Sequence, residues 1–155
     1  MKKIYLIIGV VVIILIVAIT TVKMSNTVTA PTKTTPSSSP IETSDLKISA
    51  PVPGKSFFVP GDIMISGEAK GSWFFEGTFP VQLKDTQGKV ISTGQARAIG
   101  DWMTTDFVSF TAQLDARSVK EPMSAIVIFS KDNPSGLPQN DVSVELPIQL
   151  VVGVM

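Results

Sequence analysis

Three stretches of this 155-residue chain hold the side chains that could do chemistry. The first is Gly67-Glu68-Ala69-Lys70-Gly71-Ser72-Trp73-Phe74-Phe75-Glu76-Gly77-Thr78-Phe79-Pro80-Val81, with four aromatic rings crowded between glycines. Aromatic faces stack on sugar rings and anchor protein partners, and a carboxylate beside them can fix orientation. Trp73, Phe74 and Phe75 are too closely spaced to share one side of a strand. Some of these rings must therefore leave the core, which makes Trp73, Phe74, Phe75 and Glu76 a candidate binding platform. A plainer role also fits: Trp73 and Phe75 plug one end of the fold, and Glu76 accepts backbone N–H bonds.

The second stretch, Gly100-Asp101-Trp102-Met103-Thr104-Thr105-Asp106-Phe107, offers Asp101 and Trp102 as a second half of the same site. Its competing role is a tight turn capped by the Asp101 side chain over a packed Trp102. The third runs from Lys131 to Asp141. There Asp132, Asn133, Asn140 and Asp141 supply the oxygen ligands that Ca²⁺ takes. Their spacing matches no EF-hand loop, and Asp and Asn in a Pro-rich turn are ordinary turn residues.

Much chemistry is excluded at the outset. The chain has no Cys and no His, so disulfides, thiolate metal sites, a cysteine nucleophile and a Ser-His-Asp triad are all absent. The carboxylates Glu68, Glu76, Asp101 and Asp106 have no spacing that fixes an acid–base pair, and a small domain offers little cleft. The chain reads as non-enzymatic, with no catalytic residue and no cofactor. Residues 45–155 carry nine Lys and Arg against twelve Asp and Glu, net −3, which repels phosphates and argues against nucleic acid.

The elements that must position these stretches are strands. From Leu46 onward, apolar residues alternate with polar ones: Leu46/Ile48, Ile63/Ile65/Gly67/Ala69, Phe79/Val81/Leu83, Val90 to Ile99, Val108/Phe110/Ala112/Leu114, and Val142 to Leu150. Ala125 to Phe129 is a continuous apolar run, the pattern of a central strand covered on both faces. Pro147 marks its strand as an edge. Turn clusters separate the runs at Pro51–Gly54, Pro60–Asp62, Thr86–Gly88, Gly100–Asp101 and Asn133–Gly136. Seven short strands in about 110 residues predict an all-β, immunoglobulin-like β-sandwich over residues 45–155.

Upstream, Ile4 to Val22 holds 16 apolar residues in 19 positions and no charge. Nineteen helical residues span about 28 Å, close to the bilayer's roughly 30 Å hydrocarbon core. Lys2 and Lys3 precede the run, so residues 1–22 read as a transmembrane signal anchor with the rest of the chain outside the cytoplasm. The run is longer than a cleavable signal sequence requires, and Val28-Thr29-Ala30 is followed by Pro31, which hinders cleavage. Residues 23–44 contain five Ser, six Thr and three Pro, the composition of a disordered linker.

Six motifs in order then carry a resemblance: Pro51-x-x-Gly54, Gly67-Glu68-Ala69, Trp73-Phe74-Phe75-Glu76-Gly77, Phe79-Pro80-Val81, Gly100-Asp101-Trp102-Met103 and Lys131-Asp132-Asn133-Pro134-Ser135-Gly136. Together they resemble the immunoglobulin-like domain of bacterial spore germination proteins, a module often found beside the GerMN domain. The likeness covers residues 45 to about 151. It implies a β-sandwich at the cell surface with an interaction role, and it brings no catalytic residues. No GerMN domain accompanies it in this sequence. The expectation is a membrane-anchored, non-catalytic module of the cell envelope that recognises an envelope protein or cell-wall glycan. The alternative is a structural spacer or assembly subunit of a germination-like complex without a small ligand.

Overall fold

Backbone pairing along each alternating run turns the sequence pattern into a sheet. The computed structural model describes residues 39–153. The expected anchor over 1–22 and the linker as far as residue 38 lie outside the described residues. The strands are β1 Ile41–Glu42, β2 Leu46–Ala50, β3 Ser56–Val59, β4 Asp62–Lys70, β5 Thr78–Asp85, β6 Val90–Ala98, β7 Phe107–Asp115, β8 Met123–Ser130 and β9 Ser143–Val152. Two three-residue 3₁₀ turns, Gly71–Trp73 and Pro138–Asn140, complete the elements. Among the described residues no helix is long and apolar enough to cross a membrane.

The strands pair in the order β1-β2-β4-β7-β6-β5-β8-β9-β3, one hydrogen-bonded sheet that curls at β6. β6 pairs with β5 from Val90 to Arg97, but with β7 only through Arg97 and Ala98. Past that corner the two halves face each other. Phe110 of β7 and Phe129 of β8 have ring centroids 6.4 Å apart. In a flat sheet those strands, three pairings apart, would be separated by about 14 Å. The interior between the halves is filled by Ile63, Ile65, Phe79, Val81, Leu83, Phe110, Leu114, Val127, Phe129, Leu146 and Ile148, all essentially without exposure. No polar or charged residue is buried among the described residues, so the interior between the halves is held by apolar packing. Each such side chain contributes about 1.5–3 kcal/mol by leaving water.

All seven expected strands form, as β2 and β4 to β9, and two more join them. β1 adds two residues inside the segment expected as linker, pairing Ile41 with Ile48 and Glu42 with Lys47. β3 runs parallel to β9, from Ser56 beside Gln149 to Val59 beside Val152. β2 therefore belongs to one half-sheet and β3 to the other, with the Pro51–Lys55 loop crossing between them. Gly54 N–H donates to the Pro147 carbonyl at 2.8 Å, and Gln149 N–H donates to that of Lys55 at 2.9 Å.

Two local expectations need correction. β9 is an edge only along its first half, because β3 joins it from Gln149 onward; Pro147 sits where the open side ends. Ala125–Phe129 is central, between β5 and β9, but covered on one face only. Ala125, Val127 and Phe129 are buried, whereas Ile126 and Ile128 point outward and stay half-buried.

Candidate functional site

Antiparallel pairing brings the three unusual stretches to one end of the sandwich. Lys70 pairs with Phe107, Thr78 with Arg97, and Ser130 with Ser143, so the loops 71–77, 99–106 and 131–142 emerge together.

The first loop resolves the crowding of its rings by two tight turns in succession. Phe74 N–H donates to the Gly71 carbonyl at 3.1 Å, closing the 3₁₀ turn. Phe75 and Thr78 then exchange N–H···O bonds of 2.9 and 3.0 Å around Glu76 and Gly77. Both central residues have positive φ, 51° and 75°, the type I′ arrangement of a two-residue hairpin. The first turn sends Trp73 (1% exposed) and Phe74 (5%) inward. There they pack on Phe79 with centroid distances of 5.5 and 5.2 Å. The second turn leaves Phe75 46% exposed. Trp73 and Phe74 are thus core residues, not parts of an exposed platform, with Phe74 reaching only the floor of the groove beside Trp102. Phe75, expected as a plug in the plainer reading, is instead the ring that leaves the core. The Trp73 indole N–H is buried without a hydrogen-bond partner among the described residues.

The second loop closes against the first. Asp101 Oδ1 accepts the Met103 N–H at 3.0 Å, the turn-capping role of the competing reading. Thr104 N–H donates to the Trp102 carbonyl at 2.8 Å, and Asp106 N–H donates to Thr104 Oγ1 at 3.2 Å. Gly71 N–H donates to the Asp106 carbonyl at 3.2 Å. A Cβ on Gly71 would overlap the carbonyl oxygens of Trp102 and Thr104, so only glycine admits this approach. The half-buried Trp102 ring lies over Gly77, whose Cβ, were there one, would sit 3.3 Å from Trp102 Cδ1. Beside it Met103 is 76% exposed, and Ser72, Trp102, Met103 and Thr105 border a shallow, open groove.

The third loop is laced by its own side chains. Asp132 N–H donates to the Trp73 carbonyl at 3.1 Å, fastening it to the first loop. Asn133 Nδ2 donates to Asp141 Oδ1 at 2.7 Å and to the Leu137 carbonyl at 2.9 Å. Ser135 Oγ donates to Asn133 Oδ1 and accepts from Asn140 Nδ2 at 3.0 Å. The Asn133 and Asn140 amides thus direct N–H groups into the loop, and both the Asp141 Oδ1 and the Asn133 Oδ1 are occupied. Among the described residues no three His, Cys, Asp or Glu side chains gather as a metal cluster.

The structure therefore brings Phe75, Glu76, Asp101 and Trp102 to one solvent-facing end and draws Trp73 and Phe74 beneath it. Sequence reasoning passed over Met103, the most exposed apolar side chain there. It also passed over Lys47 and Lys70, whose Nζ atoms each stand 4.4 Å from the Phe107 ring centroid. The signal for the lysines was in the cross-strand register, which the sequence alone does not supply.

A two-sheet sandwich that changes sheet between β2 and β3, folds over at β6 and gathers its irregular loops at one end is immunoglobulin-like. The family model for the immunoglobulin-like domain of bacterial spore germination matches residues 45–136, more than half of the chain, and the chain belongs to that family. β9 lies beyond the matched span and completes the same fold. No curated protein and no solved structure matches the chain.

Proposed function

We propose that this protein is a non-catalytic, germination-related binding module of the bacterial cell envelope, and that its three-loop end recognises an envelope protein or cell-wall glycan. One observation carries the reading: the three stretches singled out for their residue types meet at one end, with Phe75 and Met103 turned toward solvent and Trp102 half-buried between them and the core. Binding residues concentrate on loops held by a rigid scaffold, and this scaffold is a dry apolar core.

The membrane anchor at residues 1–22 is part of the proposal, and its support is the run of 16 apolar residues in 19 positions from Ile4 to Val22 behind Lys2 and Lys3. Ile41 beside Ile48 means that the chain reaches β1 from the side of Ala50, away from the three loops. The alternative role, a spacer or assembly subunit, draws support from Phe58 at that opposite end, which is 74% exposed.

Photo-crosslinking separates the two. A photoreactive residue at position 75 or 103 of the full chain, in envelopes of the source bacterium, should give discrete adducts with protein or glycan. Position 58 should give none. Adducts confined to position 58 would support the spacer role and dismiss the loops.

A further inference from the structure

Charge is segregated between the loops and the rest of the domain. The described residues hold 13 Asp and Glu and 9 Lys and Arg, a net of −4. The three loops contain Glu76, Asp101, Asp106, Asp132 and Asp141 against Lys131 alone, again −4. Everything else therefore balances, eight acidic against eight basic. The ion pairs follow the same division. Lys47–Glu42, Arg117–Asp62 and Arg117–Asp115 all lie outside the loops, and among the described residues none joins a loop carboxylate.

Exposed apolar side chains collect at the same end. Of the nine most exposed large hydrophobic residues among those described, Phe75, Ile99, Met103, Leu137 and Val142 belong to these loops. An apolar centre among carboxylates that make no ion pair, and that Lys131 with Lys47, Lys70 and Arg97 at the adjoining strand ends balances only in part, has the layout of a protein interface whose partner supplies the opposite sign.

We infer that the three-loop end docks a cationic protein surface, an apolar patch ringed by Lys and Arg. The inference rests on the loop end being the binding surface and adds the chemistry of what binds there. A neutral glycan's hydroxyls can donate to one or two of these carboxylates but leave their charge unbalanced, and a wall polymer bearing phosphate or carboxylate is repelled by it. A basic partner is attracted over about a Debye length before contact and paired after it.

The test titrates the full chain, in non-ionic detergent, with two labelled peptides of equal length and equal Trp and Leu content. One carries Lys and Arg between the apolar residues; the other carries Glu at those positions. The basic peptide should bind and the acidic one should not. Raising salt from about 50 to about 500 mM should weaken binding about tenfold or more. Neutralising the loops together (Glu76→Gln, Asp101→Asn, Asp106→Asn, Asp132→Asn, Asp141→Asn) should cost about as much, and each replacement keeps its hydrogen-bond acceptor. Neutralising Glu42, Asp85, Asp115, Glu121 and Glu145 in the same way should change binding less than about twofold. Equal losses from both sets overturn the inference, since the peptide then senses only net charge. Peptide binding lost on Phe75→Ala or Met103→Ala but indifferent to loop charge and salt keeps the loop end as a binding surface and removes the cationic partner. Retention on purified peptidoglycan through Phe75 and Met103, with neither peptide bound, has the same effect in favour of glycan. The salt titration needs no substitution and separates charge-driven from apolar binding even where a variant fails to fold, while single loop replacements such as Glu76→Gln, set against Glu121→Gln, separate loop charge from net charge.

Discussion

The two ends of the sandwich are built on opposite principles. At one end Arg117 reaches Asp62 at 2.6 Å and Asp115 at 3.6 Å, and Gln113 Nε2 adds a bond to Asp62 at 2.8 Å. The β5–β6 turn there is drawn tight by Asp85, whose Oδ1 accepts the N–H groups of Gln87 and Lys89. At the other end the loops are longer, their carboxylates make no ion pairs, and five large apolar side chains stay in water, against Phe58, Val90 and Val152 at the first. Both ends rest on the same core, so the difference is not one of scaffold. It teaches that stability here is internal to the sheets, which leaves one end free to expose groups that folding alone would have paired or buried.

Substitutions can break or sharpen that contrast. The largest effect belongs to Phe79→Ala, which removes the ring that meets Trp73, Phe74 and Phe110. It should cost about 3–5 kcal/mol in denaturant unfolding. A small loss would mean that the aromatic cluster is an appendage and not the floor of the loop end. Next comes Gly71→Ala, where the new methyl group meets backbone oxygens instead of a yielding side chain. A loss of about 2–3 kcal/mol in the same measurement is expected, with shifted amide resonances at Trp102 and Thr104. Arg117→Ala should cost about 1 kcal/mol, since the guanidinium is well exposed while Asp62 is largely covered. Phe75→Ala and Met103→Ala should each change stability by less than about 0.5 kcal/mol. They should nonetheless abolish crosslinking at the loop end. If either lowers stability as Phe79→Ala does, the exposed set is structural and the contrast collapses.

Much of the fold was legible because a period of two survives wherever one face of a strand is buried. That is why Ile63 to Ala69 and Val108 to Leu114 announce β4 and β7. β3 was not legible: Phe57 and Phe58 stand side by side between proline turns, and their pairing with β9 is parallel and remote in sequence. β1 has only two residues, too few for any period. In the site, sequence established that Trp73, Phe74 and Phe75 cannot share a face, but not which of them turns outward. That choice is made by a 3₁₀ turn without a side-chain cap, followed by a positive φ at Glu76, a position more often filled by Gly, Asn or Asp. The meeting of the three loops was hidden for a different reason: it follows from strand order, and strand order depends on contacts between residues far apart in the chain.

β1 also decides where this domain can be cut. It lines the flank of β2 with two residue pairs, carries the Lys47–Glu42 ion pair, and packs Ile41 against the core. A chain begun at Asp45, where the family match starts, would bare the flank of β2 along Leu46–Ile48. One ended at Gly136 would strip β9 from β8. Bare strand flanks of this kind template pairing with other molecules. The shortest piece that keeps every strand pairing therefore begins before Ile41 and runs through Val152, and shorter pieces should elute earlier, as aggregates.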